Sequence, residues 1–292
     1  MVESGAKLAS KRSHRQRAHL VVCSMRTFAA ELVAEGFEVD YRSSASLAAG
    51  LVAHRADYAP SRVVACDAAE AAFRRGDVPI ASAEGFIRQV IGWREYVWGR
   101  YWQWMPDHRG ANDLGAHRAL PPLFSGAPTR LRCVGQVIDD VGAHGYAHHI
   151  QRVMILGTLA LLAGIDPWEL TEWMWSGFVD GAEWVMLPNA IGMALHADGG
   201  RMATKPHAAS GAYIDKMSDY CGSCAYERRL RVGPDACPFT TLCWAFLDRH
   251  RDRFERNTRV ARQVHAGQRL GDLDEVNTRA AEVLVALDAG TL

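Results

Sequence analysis

The sequence predicts a mainly helical protein, residues 77–292, preceded by a small α/β piece with parallel strands, residues 1–76. Three observations carry this. Alternation of short apolar runs with helix-like segments is confined to the first 76 positions; beyond the arginine pair Arg74 and Arg75 strand signals stop and apolar residues recur at i, i+3, i+4. At 292 residues and 49% hydrophobic content the chain can bury one large core or two smaller ones.

The elements follow in order. From His19 to Cys66 come an apolar run at Leu20 to Cys23, a helix-like segment opened at Ser24 and closed at Gly36, and alternating Phe37, Val39 and Tyr41. A second helical stretch and the run Val63 to Cys66 complete a β-α-β-α-β pattern. It holds no Gly-x-Gly-x-x-Gly, so an ordinary dinucleotide site has no support. Ser82 is placed to N-cap a helix carrying Phe86, Ile87, Val90, Ile91, Val97 and Tyr101 on one face. One long helix is expected from about Gln136 to Ala163, and Asp166-Pro167 supplies an N-cap and first-turn proline for the next.

Charge excludes a global polyanion-binding field, since 33 basic residues face 33 acidic ones. The stretch Tyr226 to Arg262 concentrates nine arginines against five acids, as a solvated helical face or as a phosphate-contacting surface. No run of 18 apolar residues occurs, and the basic start (Lys11, Arg12, Arg15, Arg17) precedes only a short apolar patch, which argues against a membrane span and a secretory signal. Seven cysteines, three of them grouped, point to metal ligation in a reducing compartment, and the cytoplasm is the expected location.

Cys221-x2-Cys224-x12-Cys237-Pro238 is the strongest chemical signal, because two thiolates two residues apart clasp one centre and a third nearly completes a tetrahedral set. Cys243 and Cys133 are both candidates for the fourth ligand, and zinc and an iron-sulfur cluster both remain open from spacing. Within Gly145 to Arg152, helical geometry sets His148 and Arg152 on one face and His149 within a turn of Arg152, a candidate proton-handling pocket or a pair of structural histidines. Nine tryptophans, including Trp93, Trp98, Trp102 and Trp173, are expected mainly to pack the core.

These pieces resemble the iron-sulfur bacterial cryptochromes and photolyases, the prokaryotic (6-4) photolyase group. The resemblance runs through Ser82 to Gln89, Gly92-Trp93-Arg94-Glu95-Tyr96, Gly145 to Arg152, Val179-Asp180 and Glu183 to Asn189. It continues through Ala197-Asp198-Gly199-Gly200 and Ser210 to Ile214 to Ala236-Cys237-Pro238-Phe239, and covers residues 77–260. The resemblance implies a photolyase-type helical domain with a 4Fe-4S cluster on Cys133, Cys221, Cys224 and Cys237, and FAD near Gln89, Arg94, Arg152, Asp180 and Asn189. It implies Trp93, Lys205 and His207 on the substrate side, His148 and His149 as proton-handling residues and Trp173 as a remnant of the flavin reduction path. The implied activity is light-driven electron transfer to (6-4) pyrimidine lesions in damaged DNA.

The departures carry expectations too. His207 stands where the family has tyrosine, and Met174 where it has an aromatic residue. The chain passes from the antenna-type piece directly to the helix before Glu84, omitting the Ser-x-Leu-Ser type segment that holds the FAD phosphates, so the pyrophosphate would need helix N-termini or arginines instead. The three-strand piece is too small to enclose a lumazine antenna. Omitted helices would expose apolar surface, which a homodimer would cover. The alternative reading is a non-enzymatic iron-sulfur module that binds nucleic acid, or a fragment without flavin.

Overall fold

The computed structural model describes residues 92–292 throughout and, ahead of them, residues 2–4, 26, 29–30, 33–34, 36, 38–45, 49, 53 and 56–58. The chain divides into two compact units, Met1–Arg100 and Tyr101–Leu292. The expected boundary near residue 76, the strands at 20–23 and 63–66, and the Ser82 cap lie outside the described residues.

In the first unit, strand β1 (Val2–Ser4) pairs in parallel with β2 (Arg42–Ser44), in the register Val2 to Arg42. Parallel neighbours require a crossover, and helical residues at 26, 29–30 and 33–34 lie between them. Gly36, at φ 90°, closes that segment by donating its N–H to Val33 at 3.0 Å, as expected. The strand expected at Phe37 to Tyr41 falls instead on 42–44. Alternation marks extended backbone, but a ladder is fixed by where the partner strand lies. Beside it the Arg42 guanidinium bonds Asp40 at 2.5 Å and Asp57 at 2.6 Å.

Helix α1 (Glu95–Trp104) straddles the boundary between units and buries only Val97 among its residues. Trp93, Trp98 and Trp102 are 45%, 39% and 63% exposed, so this aromatic load is not the core packing the composition suggests.

The second unit is helical: α2 (Arg132–His144), α3 (Thr158–Ala163), α4 (Pro167–Gly177), α5 (Glu183–Leu187), α6 (Gly211–Met217), α7 (Pro238–Arg249), α8 (Arg251–Phe254), α9 (Ala261–Gly267) and α10 (Leu273–Asp288). Val276, Ala280, Val283 and Leu287 form a buried stripe on α10 at alternating steps of four and three, and this face packs on α7. There Phe239, Leu242 and Phe246 are fully buried, each contributing about 1.5–3 kcal/mol by leaving water. Asp166 caps α4 as expected, accepting from the Trp168 and Glu169 amides at 2.8 and 3.2 Å. Among the described residues no helix is long and apolar enough to cross a membrane.

The single helix expected over 136–163 is broken. Helix α2 ends at His144 because Gly145 takes φ 64° and returns its N–H to Val141 at 2.8 Å. The chain re-enters helix near His149 and runs through a π-helical stretch, Gln151–Gly157, into α3. A second π-helical stretch, Pro188–Ala194, continues α5 and packs against the first. The two meet at Gly157, where an added Cβ would lie 2.8 Å from Ala194 Cβ. Only glycine permits that approach.

Candidate functional site

The break at Gly145 rebuilds the histidine segment. His148 sits ahead of the new helix, and its Nδ1 accepts from the Ile150 amide at 3.2 Å. Gln151 Oε1 accepts in turn from the His148 amide at 2.7 Å, the reciprocal pattern of a capping box. An acceptor role for Nδ1 leaves Nε2 as the protonated nitrogen of the neutral ring. His148 and His149 are both exposed at the surface rather than sunk in the core; even so, protein crowding the water around the His149 ring, then the Arg152 and His148 charges, lower its pKa from the ordinary value.

Arg152 is the buried member. Its Nε donates to the Ala147 carbonyl at 2.6 Å, and its two terminal nitrogens donate to the Asp180 carboxylate at 2.7 and 3.1 Å. The guanidinium lies 4.0 Å from the Phe178 ring centroid and 4.9 Å from that of Tyr146. Phe178 meets Trp173 edge to face at 5.8 Å, and Trp173 donates its indole N–H to the Phe124 carbonyl at 2.8 Å. Trp173, Phe178, Arg152 and Asp180 therefore form one continuous contact chain. Asn189 stands on the second π-helical stretch and donates to the Val185 carbonyl at 2.8 Å.

Two cavities flank this segment and share Met154 and Tyr213 as walls. The first, about 450 Å³, is lined by His148, Gln151, Tyr213, Asp219 and Tyr220 among others, and Gln151 donates to the Tyr220 hydroxyl at 2.8 Å. The second, about 390 Å³, is lined by Lys205, His207, Tyr213, Trp244 and Gln263 among others. The His207 ring is partly buried, its Nδ1 has no hydrogen-bond partner, and its pKa is lowered by burial and then by Lys205, His196 and His149. Lys205 is exposed.

The four cysteines expected to act together come from separate elements: Cys133 in the first turn of α2, Cys221 in the turn Tyr220–Ser223, Cys224 just after it, and Cys237 capping α7 ahead of Pro238. Burial raises the Cys133 thiol pKa, and next in order Cys237, Cys224 and Cys221 raise it further. Burial and then Cys237 push Cys221 up to about 11. Cys243 is pushed up to about 12 by burial alone, with no other cysteine acting on it. Gly211 leaves room for the group, since a Cβ there would lie 2.7 Å from Cys237 Sγ. Among the described residues no three His, Cys, Asp or Glu side chains converge closely enough to hold a single metal ion.

Gln89 lies outside the described residues. Trp93 and Arg94 belong to the first unit, where Trp93 meets Tyr96 edge to face at 6.0 Å and Arg94 pairs with Glu95. A buried polar group escaped the sequence reading: His108, 2% exposed with neither ring nitrogen hydrogen-bonded, lies 3.9 Å from the Asp198 carboxylate. Asp198 accepts from the Gly200 and Met202 amides at 3.0 and 2.8 Å, and the neighbouring His196 sits at φ 50°. The motif Ala197 to Gly200 pointed at this turn; nothing local marked His108 as its partner.

A family model described as deoxyribodipyrimidine photo-lyase-related protein matches residues 1–83. The chain is 45% identical over 225 residues to a (6-4) photolyase of Agrobacterium fabrum, covering 76% of this chain and 44% of that protein. It is 38% identical over 66 residues to "Uncharacterized protein R855" of Acanthamoeba polyphaga mimivirus, covering 23% of this chain and 54% of that protein. The chain thus spans about half the length of the curated relatives it matches.

Proposed function

Because this chain belongs to a prokaryotic photolyase-related family, we propose that it is a photolyase- or cryptochrome-like flavoprotein that carries an iron-sulfur cluster and acts on (6-4) pyrimidine lesions in DNA. The observation that carries this reading is the contact chain Trp173, Phe178, Arg152, Asp180, with His148 and His149 immediately before it.

Arg152, Asp180 and Asn189 would hold FAD, which when reduced would supply light-driven, redox-neutral electron transfer to the lesion. Arg152, Asp180 and Asn189 offer the mixed donors and acceptors that a flavin's amide edge requires. Arg152 is pinned by three hydrogen bonds and a ring face, so it presents a fixed geometry. Trp173, in contact with Phe178, stands as an aromatic step toward that group. His148 holds a donatable proton on Nε2 at the wall of the first cavity, and His149, its pKa held below the ordinary value, stands beside it to receive one.

Cys133, Cys221, Cys224 and Cys237 are the thiols that would hold a cluster. Cys237, Cys224 and Cys221 each act electrostatically on the Cys133 thiol, so one centre can draw on all four although they come from separate elements. The raised pKa values of Cys133, Cys221 and Cys237 mean that their deprotonation must be driven by the bound cluster.

The omitted phosphate-holding segment favours a second reading, an iron-sulfur module that binds nucleic acid without flavin. The absorption spectrum of anaerobically purified protein separates the two: flavin and cluster bands together support the photoactive reading, and cluster bands without flavin after FAD is added support the second.

A further inference from the structure

One side chain bridges the histidine segment and the turn that carries Cys221. Gln151, partly buried at the wall of the first cavity, accepts from the His148 amide at 2.7 Å through Oε1 and donates to the Tyr220 hydroxyl at 2.8 Å through Nε2. These partners leave the side-chain amide one orientation. A backbone N–H can only donate, so Oε1 must face His148, and Nε2 is left for the hydroxyl, which accepts.

Both ends of the bridge are lightly held. The turn Tyr220–Ser223 buries none of its residues, so removal of apolar surface from water does little to seat it. Cys221 meets the Gly211 carbonyl at 3.8 Å, and Cys224, just beyond the turn, meets the Arg130 carbonyl at 3.9 Å. Thiols are weak donors, and contacts of that length hold little. A cluster on Cys221 and Cys224 would tie this turn to Cys133 on α2 and to Cys237 at the start of α7. At the other end His148 is exposed, its ring set by the Ile150 amide and its backbone by Gln151.

We infer that Gln151 is a positioning residue that couples the cysteine-bearing turn to His148. With the turn seated, Tyr220 fixes the Gln151 amide, Oε1 stays on the His148 amide, and the imidazole keeps its Nε2 proton at the cavity wall. With the turn released, Gln151 loses the partner that orients it, and the cap on His148 loosens. In this role the cluster moves no electron; it seats the turn. The inference deepens the proposed function and rests on it for the cluster and for the part played by His148.

The test is hydrogen–deuterium exchange of the anaerobically purified full chain, read by mass spectrometry on the segment Gly145–Ile150, before and after iron is removed with a chelator. Tyr220→Phe, which takes away only the acceptor of Nε2, should speed exchange there roughly 2- to 10-fold, the effect of one net hydrogen bond. Gln151→Leu should speed it at least as much. Gln151→Glu should keep the original rate, since a carboxylate accepts from both the His148 amide and the Tyr220 O–H. Ser218→Ala, on the same cavity wall but outside the bridge, should change nothing; circular dichroism establishes that each variant is folded. Chelation should raise the rate of the unaltered chain to that of Tyr220→Phe and leave Tyr220→Phe where it was. A folded Tyr220→Phe protein with its full iron content that exchanges at the original rate overturns the bridge and leaves the cluster assignment standing. An unaltered chain indifferent to loss of its iron overturns the coupling. Faster exchange in Tyr220→Phe, in a chain that takes up no iron, supports the bridge while counting against the iron-sulfur reading.

Discussion

The Arg152 guanidinium and the Asp180 carboxylate, 28 positions apart in the chain, face one another through two hydrogen bonds of 2.7 and 3.1 Å. The arginine is buried, whereas the carboxylate side chain is 52% exposed. The pair therefore fixes a buried cation while leaving an accessible acceptor beside it.

Asp180→Ala leaves that guanidinium buried with one hydrogen-bond partner. Since breaking a fully buried pair costs about 3–5 kcal/mol, and this one is open on its acid side, a loss of about 1–3 kcal/mol is expected in denaturant unfolding. Arg152→Lys should also fall short, because an ammonium makes neither the two-pronged contact nor the planar stack on Phe178.

Gly157→Val places a branched side chain where Ala194 Cβ leaves no space. Overpacking of this kind costs about 1–3 kcal/mol, and the melting temperature should drop accordingly. Because the clash separates the stretches that carry Arg152 and Asn189, flavin retention should fall with it.

The cysteine assignment divides cleanly. Cys133→Ala should abolish iron and sulfide incorporation, whereas Cys243→Ala should leave both unchanged, since Cys243 interacts with no other cysteine. Iron and acid-labile sulfide analysis of the purified variants reads this directly.

Acid should weaken the fold from pH 6.5 downward. Burial, then Arg249, holds His250 down to about 4, so between 6.5 and 4 the unfolded chain binds a proton that the folded chain refuses. Stability contributed by the neutral ring is complete above pH 6.5, declines as pH falls, and levels off below about 4. The partly buried ring limits the loss to about 1–3 kcal/mol. His250→Phe, which keeps the packing on Phe246 and Phe254, should flatten that slope in urea unfolding measured across pH.

Much of this was legible in the sequence. The helical class, the Asp166 cap and the closing role of Gly36 follow from local rules. The Arg152–Asp180 pairing and the coupling of Cys133 to the distant triplet were reached only through resemblance, because nothing in spacing relates positions so far apart. The break at Gly145 was missed because apolar periodicity runs through it, and one positive-φ glycine outweighs that pattern. The strand slipped from 37–41 to 42–44 because register belongs to the partner. His108 was invisible: a lone histidine gives no sign that it will be buried beside Asp198.

The measurement that tests the central proposal most directly is illumination of the FAD-supplemented, reduced chain with an oligonucleotide carrying a single (6-4) lesion, followed by chromatographic quantification of restored pyrimidines. The account predicts repair that requires light and is abolished by Asp180→Ala. Lesion levels unchanged by light, in protein shown to hold both flavin and cluster, would contradict it.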